Sequence, residues 1–117
     1  YNDAMKLIIS NIDKVELCVG THNEESCMVV VNEMNKKGIP NNHTKIWFSQ
    51  LCGMSDHISY NLSAAGYNVT KYLPYGPVRS TIPYLVRRAQ ENSAIAGQMS
   101  KEFKLIAMEI HRRKTQR

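Results

Sequence analysis

Three short apolar segments, each followed by a stretch with helical spacing, constrain the fold of this chain more than any other feature. They are VELCV (15–19), KIWFSQL (45–51) and NVTKYLP (68–74). Short apolar runs bounded by turn residues are typical of buried strands. The segments between them are long enough to cross back over a sheet, which predicts parallel strand–helix units. Because parallel sheets need covered faces, the pattern indicates an α/β fold.

Apolar residues at helical spacing lie between and around these strands. Cys27, Val30, Val31 and Met34 form one stripe of an amphipathic helix, and Ser55 is suited to cap the helix after the second strand. The predicted helices cover residues 4–12, 24–37, 56–65 and about 80–110, with a break in the last one near Gly97.

The composition is that of an ordinary globular domain, with 43% hydrophobic and 21% charged residues in a chain of 117. No apolar run approaches the ~18 residues that cross a bilayer. Neither the cysteines nor the histidines show the spacing of a metal site or a disulfide framework. We therefore expect no metal and a reduced, intracellular protein.

The net charge of +5 is concentrated at one end of the chain. Four positive charges lie in the last seven residues, whereas residues 1–110 carry 11 basic and 10 acidic side chains. We interpret the basic end as a solvated tail and expect no nucleic-acid partner. The alternative is a basic α/β module that binds acidic partners through this end and through Arg87 and Arg88.

Polar or glycine-containing clusters follow each predicted strand, namely GTHNEES (20–26), SQLCGMSDH (49–57) and YLPYGPV (72–78). The carboxyl ends of parallel strands meet at one edge, and in a (βα)8 barrel that edge holds the active site. Three βα units make less than half of such a barrel, which takes ~250 residues, and alone they leave open sheet edges. The sequence therefore indicates a part of something larger.

The first cluster has two interpretations. Thr21 and Asn23 are suited to cap the following helix, with Glu24 and Glu25 favoured in its first turn by the helix dipole. Alternatively, the cluster hydrogen-bonds a phosphate or ribose at the helix N-terminus. His22 is then a general base, a metal ligand or a cofactor contact, although the histidines lack metal-ligand spacing.

In the second cluster, Gln50 is the residue that packing does not explain. Leu51 and its apolar neighbours suit a core, but a buried amide at a strand end requires hydrogen-bond partners. Cys52 has no neighbouring base in the sequence, so we assign it no role as a nucleophile.

The helix after the third strand contains two adjacent arginines. Ser80 as N-cap places Pro83 at the third helical position, where a missing amide proton is harmless. Glu91 follows Arg87 by four residues and Arg88 by three, so it can pair with either. The helix is then either a surface helix with an ion pair or a two-arginine clamp for a small carboxylic acid.

Together, residues 20–26, 48–78 and 82–93 resemble flavin-dependent proline dehydrogenase (proline oxidase) in order and spacing. The resemblance covers essentially the whole chain, and its most specific motif is YLVRR-x-x-EN, residues 84–92. It implies a flavoprotein oxidoreductase with a (βα)8 (TIM-like) barrel that holds FAD. In such a barrel this chain is the C-terminal three βα units, and the barrel is incomplete here.

The resemblance also implies a reaction. L-proline loses a hydride from the ring carbon beside its nitrogen and becomes Δ1-pyrroline-5-carboxylate, and the reduced flavin passes its electrons to a membrane quinone. In this interpretation the protein binds and orients proline, and no side chain is assigned as a general acid or base. Hydroxyproline stays open as a substrate, although Tyr72 in the wall around the ring fits proline.

The resemblance assigns roles to two groups of residues. The substrate-binding group clamps the proline carboxylate and walls the proline ring, and it consists of Arg87, Arg88, Tyr72, Tyr84 and Leu51. The cofactor-binding group contacts FAD and consists of Thr21, His22, Asn23, Gln50 and Glu91. Glu91 also braces the two arginines.

One departure from the family concerns what the chain does by itself. It begins near the sixth strand of such a barrel, so the flavin-binding arginine and lysine of earlier strands are absent. We expect the isolated chain to bind FAD poorly and to be inactive. Its partner is then the N-terminal part of the barrel, or a second copy in a homo-oligomer. The remaining alternative is an inert oligomerising fragment.

We expect a cytoplasmic location, or a peripheral one at the inner membrane, which is mitochondrial in a eukaryote.

Overall fold

The computed structural model describes residues 1–94 and 96–115, without the side chains of residues 89, 91–94 and 96–102. It consists of two compact units, Tyr1–Tyr72 and Leu73–Arg117. In chain order the helices and strands are α1 (Asn2–Ser10), β1 (Leu17–Gly20), α2 (Glu24–Lys36), β2 (Ile46–Leu51), α3 (Asp56–Ala64), β3 (Val69–Tyr72), α4 (Val78–Ala94) and α5 (Ala96–Thr115).

The first unit is built on a three-stranded parallel sheet in the order β1–β2–β3. Leu17 of β1 pairs with Ile46 of β2, and Leu51 of β2 pairs with Tyr72 of β3. Each crossover runs through a helix, α2 between the first two strands and α3 between the last two. The predicted α/β fold with parallel strand–helix units is therefore confirmed.

Helices cover one face of this sheet. Side chains alternate between the two faces along a strand, and Val19 and Phe48 are fully buried whereas Trp47 is exposed. The Phe48 ring meets Tyr67 edge to face, with 5.6 Å between the ring centroids. The helices contribute the other half of the core through Met5, Ile9, Cys27, Val30, Val31, Met34, Ile58 and Leu62.

The placement of the helices distinguishes this sheet from a doubly wound one. In a doubly wound sheet the helices lie on both faces, whereas in a barrel they lie outside a ring of strands that follow each other in chain order. The first unit has the second pattern, because α1, α2 and α3 all supply residues to the core on the covered face.

The start of α4 differs from the prediction. Ser80 is not its N-cap, because α4 begins at Val78. The carbonyl of Pro77 accepts from the N–H of Ser80 at 2.9 Å and of Thr81 at 3.0 Å. Pro83 is therefore the sixth helical residue rather than the third, and it cannot donate to the carbonyl four residues earlier. Pro77, whose carbonyl accepts the first helical hydrogen bond, thus takes the N-cap position predicted for Ser80.

The long helical region predicted after the third strand consists of two helices. They are α4, which ends at Ala94, and α5, which begins at Ala96; residue 95, next to the break predicted near Gly97, lies outside the described residues. Among the described residues, no helix is long and apolar enough to cross a membrane.

Candidate functional site

The polar clusters that follow β1 and β2 lie at one edge of the sheet, because the strands are parallel. Gly20, the last residue of β1, pairs with Ser49, and Leu51, the last residue of β2, pairs with Tyr72. Ligands of parallel α/β proteins bind at this carboxyl edge. The predicted site residues of the first unit are therefore gathered where a ligand site is expected.

Thr21, His22 and Asn23 form the connection from β1 to α2. Asn23 is the N-cap of α2, and its Oδ1 accepts from the N–H of Ser26 at 3.1 Å. The Thr21 hydroxyl accepts from the N–H of Asn23 at 3.1 Å. The predicted capping role is confirmed for Asn23, whereas Thr21 stabilises the turn that leads into the cap. Both bonds restrain the loop around His22.

His22 contacts a residue of the neighbouring loop. Its Nδ1 lies 2.9 Å from the hydroxyl oxygen of Ser55, although the two residues are 33 positions apart. Ser55 is the N-cap residue of α3 as predicted, but its side chain makes no capping hydrogen bond. The Ser55–His22 contact therefore joins the loops after β1 and β2 at the carboxyl edge.

Gln50 is buried, with 2% of its surface exposed, and both ends of its amide are hydrogen-bonded. Nε2 donates to the carbonyl of Thr21 at 3.3 Å, and Oε1 accepts from the hydroxyl of Ser59 at 2.9 Å. The partners that a buried amide requires are thus supplied by the protein itself. Gln50 lies on the helix-covered face with Phe48 and ties the loop after β1 to α3.

Lys71 extends this polar network to β3. It is the register partner of Gln50, and its Nζ donates to the carbonyl of Met54 and to Oδ1 of Asp56, both at 2.7 Å. The Asp56 side chain is half exposed, so the charge pair by itself contributes little to stability. Its effect is to fasten the loop between β2 and α3 to the adjacent strand.

The second face of the sheet is accessible near this edge and carries both apolar and polar side chains, with Ser49 and Thr70 paired on it. Leu51 is half-buried and Tyr72 is 51% exposed, and the two are register partners on this face. Trp47, which is 44% exposed, and Cys18 pair with each other further along the same face. The structure thus brings together two of the residues that the resemblance assigns to the wall around the substrate ring.

The second unit carries the two arginines on α4. The central carbon of the Arg88 guanidinium lies 5.2 Å from the centroid of the Tyr84 ring, a cation–π arrangement across one helical turn. Arg88 is half-buried and Arg87 is exposed. Glu91 belongs to α4, and its side chain lies outside the described residues.

The buried thiol of the first unit, Cys27, is unreactive. Burial, and to a smaller extent the negative charge of Glu24, raises the pKa of Cys27 to about 11. Cys27 therefore acts as a small apolar core residue and not as a nucleophile. Within residues 1–94 and 96–115, no group of three His, Cys, Asp or Glu residues is placed to hold a metal ion.

The basic end of α5 is partly neutralised within the helix. Arg112 and Arg113 contact Glu109 at 2.7 and 2.8 Å. The hydrogen bond from Arg112, and to a smaller extent the one from Arg113, lowers the pKa of the Glu109 carboxyl to about 2.

Ser55, Ser59 and Lys71 are the residues of the carboxyl edge whose contacts sequence reasoning missed. Ser59 lies within α3, where a serine carries no local signal, and the partner of Ser55 is distant in sequence. A weak signal was Gly53, whose φ of 78° permits the turn before Ser55.

Comparisons with known proteins agree with this architecture. A family model described as proline dehydrogenase matches residues 1–101. "Proline dehydrogenase 1, mitochondrial" of Drosophila melanogaster is 43% identical over 100 residues, which cover 86% of this chain and 15% of the fly protein. Hydroxyproline dehydrogenase of Xenopus laevis is 45% identical over 109 residues, which cover 93% of this chain and 23% of the frog protein. The chain thus spans less than a quarter of these relatives.

A solved structure shows the same fold. Proline utilization A (PutA) from Bdellovibrio bacteriovorus, inactivated by N-propargylglycine, matches with a TM-score of 0.70 and 28% sequence identity. The match covers 79% of this chain and 9% of that one. Fold and carboxyl-edge site together define a parallel α/β protein of the barrel type. The chain belongs to the proline dehydrogenase family, as the resemblance of its motifs predicts.

Proposed function

We propose that the protein carrying this chain oxidises L-proline to Δ1-pyrroline-5-carboxylate in proline catabolism, with FAD as cofactor and a quinone as electron acceptor. Family membership supports the reaction class. The observation that carries the substrate class is the stacking of the Arg88 guanidinium on Tyr84 at 5.2 Å, next to Arg87 in sequence.

Two adjacent arginines suit a small carboxylate. A guanidinium presents a planar fork that binds both oxygens of a carboxylate. Stacking on Tyr84 restrains Arg88 beforehand, so less side-chain freedom is lost when the carboxylate binds. The PutA neighbour was inactivated by N-propargylglycine, a small amino acid with a carboxylate and a secondary amine, which supports an amino-acid substrate. In this proposal Arg87 and Arg88 clamp the carboxylate.

The ring of the substrate requires an apolar wall. Leu51 and Tyr72 are paired side by side on the exposed face of the sheet, and we propose that they belong to this wall. The family resemblance assigns Tyr84 to it as well. Holding the carboxylate and the ring in one geometry orients the reacting carbon. No general acid or base is proposed, because proline can react as its free amine.

We propose the carboxyl edge of the sheet as the place where the flavin binds. Thr21, His22 and Asn23 offer hydroxyl, imidazole and amide groups, which are suitable donors and acceptors for the polar groups of a flavin. The adjoining sheet face offers the apolar side chains of Leu51 and Tyr72, which suit contact with a flat ring. When bound, the flavin accepts the hydride from the substrate.

Gln50 and Glu91 complete the proposed cofactor group. Gln50 acts through its bond to the Thr21 carbonyl, which fixes the loop that holds the flavin. Glu91 braces Arg87 and Arg88 from one turn further along α4 and lies near the flavin, as the family motif implies.

We further propose that the chain forms the C-terminal three βα units of a (βα)8 barrel. The support is its parallel sheet with helices on one face, and its share of the relatives' length, 15% and 23%. A closed barrel removes both sheet edges, so β1 and β3 require neighbours from the N-terminal part of the barrel or from another copy. Purified residues 1–117 should therefore hold little flavin. A yellow preparation that reduces a quinone analogue on addition of proline would refute this.

A peripheral position at the inner membrane, mitochondrial in a eukaryote, is the proposed location, because a membrane quinone is the proposed acceptor. The fly relative, which is named mitochondrial, supports this for eukaryotic members. The alternative, a basic module for acidic partners, has less support, because Arg112 and Arg113 are engaged with Glu109.

The clamp is tested in the flavin-loaded protein that carries this chain. Arg87→Ala and Arg88→Ala each remove a charged hydrogen-bonding group worth about 1.5–3 kcal/mol. We expect proline affinity to fall about 10- to 150-fold, at 1.4 kcal/mol per tenfold, with flavin content unchanged. Arg79→Ala, an exposed arginine of the same helix, is the matched control and should leave proline affinity unchanged. Unaltered proline affinity in both test variants would disprove the clamp.

A further inference from the structure

Ser55 has a backbone conformation that serine rarely adopts. Its φ of 51° and ψ of 42° lie in the left-handed region, and no other non-glycine residue in the described part of the chain has a positive φ. With a β-carbon, this conformation costs about 1–2 kcal/mol. Such strain persists only where surrounding contacts hold it. The contacts of Ser55 therefore indicate what the strain serves.

The hydroxyl of Ser55 does not serve the helix that it precedes. An N-cap serine ordinarily accepts from an N–H of the first turn, yet Ser55 makes no such bond to α3. Its Oγ instead lies 2.9 Å from Nδ1 of His22, and only 1% of the residue is exposed. The strained residue, itself buried, thus makes a partly buried contact with a proposed cofactor-binding side chain.

Neighbouring bonds anchor Ser55 on both sides. Lys71 donates to the carbonyl of Met54, the preceding residue, at 2.7 Å. The carbonyl of Ser55 accepts from the N–H of Ser59 at 3.2 Å in the first turn of α3. These anchors give the Ser55 hydroxyl a defined position at the sheet edge.

We propose that Ser55 is a positioning residue that fixes the tautomer and the orientation of His22. In this proposal the Ser55 hydroxyl is the donor and Nδ1 the acceptor of the 2.9 Å contact, so the single proton of the neutral imidazole lies on Nε2. Nε2–H is then a hydrogen-bond donor for the bound flavin, whose ring carries mainly acceptors. The inference rests on the proposed function, because the flavin is the partner of Nε2–H.

Two substitutions separate the hydroxyl from the backbone strain. Ser55→Ala removes the hydroxyl and keeps the strained β-carbon, whereas Ser55→Gly removes the hydroxyl and relieves the strain. Ser26→Ala is the matched control, because it deletes another buried hydroxyl near the site, one whose partner is Asn2 at 3.0 Å.

The tautomer is measured by ¹⁵N–¹H correlation of the His22 ring in the full protein that carries this chain. The pH is about 8.5, two units above the ordinary histidine pKa of about 6.5. We expect the unmodified protein and Ser26→Ala to show a protonated Nε2 and a bare Nδ1. Both Ser55 variants should show the averaged signals of two exchanging tautomers. Their flavin affinity should fall about 2- to 10-fold, corresponding to one neutral hydrogen bond.

Three results would overturn the proposal: a protonated Nδ1 in the unmodified protein, an unchanged tautomer in both Ser55 variants, or a change in Ser55→Ala that Ser55→Gly does not share. The last would assign the effect to backbone strain. If Ser55→Ala fails to fold, the His22 tautomer in the unstrained Ser55→Gly variant tests the proposal. The spectra are recorded with and without flavin. A protein that keeps the Nε2–H tautomer but holds no flavin contradicts the proposed function and not the Ser55–His22 contact.

Discussion

Replacing Gln50 by leucine tests whether its buried amide holds the carboxyl edge together. The side chain is 2% exposed, and it bonds to the Thr21 carbonyl at 3.3 Å and to the Ser59 hydroxyl at 2.9 Å. Leucine fills a similar volume without making either bond. We therefore expect the loss of stability to come from the polar partners left behind and not from a cavity.

The magnitude follows from which partners stay unsatisfied. The Ser59 hydroxyl retains a second acceptor, the carbonyl of Ser55 at 3.3 Å. The penalty in Gln50→Leu therefore falls mainly on the Thr21 carbonyl and is about 1–3 kcal/mol. Ser59→Ala leaves the Gln50 Oε1 without its donor and costs about 1–3 kcal/mol. In the double variant only the Thr21 carbonyl lacks its partner, so we expect it to cost no more than Gln50→Leu alone.

The assay is urea unfolding of the unmodified protein, the two single variants and the double variant, from which the coupling free energy is obtained. We expect a coupling of about 1–3 kcal/mol. Ser63→Ala, an exposed serine of the same helix, should change the free energy of unfolding by less than about 0.5 kcal/mol. If the two single effects add to within about 0.5 kcal/mol, the network does not exist.

Two further predictions concern a thiol and a glycine. Cys27, whose pKa burial raises to about 11, should be only ~0.1% thiolate at about pH 8. Mass spectrometry should find the exposed Cys18 and Cys52 alkylated first, and equal rates for all three would contradict this. Gly66→Ala should destabilise by about 1–2 kcal/mol, because Gly66 has a φ of 84°. Gly20→Ala should not destabilise the protein, although an added β-carbon meets open space there as it does at Gly66. Equal losses of stability of the two variants in thermal unfolding would argue against the backbone explanation.

The elements of the first unit follow closely from local pattern. The predicted second strand, 45–51, is found at Ile46–Leu51, and the predicted second helix, 24–37, at Glu24–Lys36. The stripe from Cys27 to Met34 is buried as predicted. These predictions hold because burial of one helix face and alternation along a strand impose periodicities that the sequence itself carries.

The start of α4 shows where local pattern is insufficient. Two residue types compete to begin this helix, the serine at position 80 and the proline at position 77. The Pro77 carbonyl takes the first hydrogen bonds, so the helix begins at Val78 and Pro83 lies inside it. Capping preference alone does not rank these two starts, since their difference depends on the geometry of the preceding loop.

The sequence by itself determined the order of strands and helices, the polar clusters after the strands, and the motif with Arg87 and Arg88. Only the tertiary structure decided which of these side chains meet. Register pairs Leu51 with Tyr72, and the packing of two loops sets the Ser55 hydroxyl against His22. The physical reason is that hydrogen-bonded register and loop packing join residues distant in the chain, and a local periodicity carries no information about such partners.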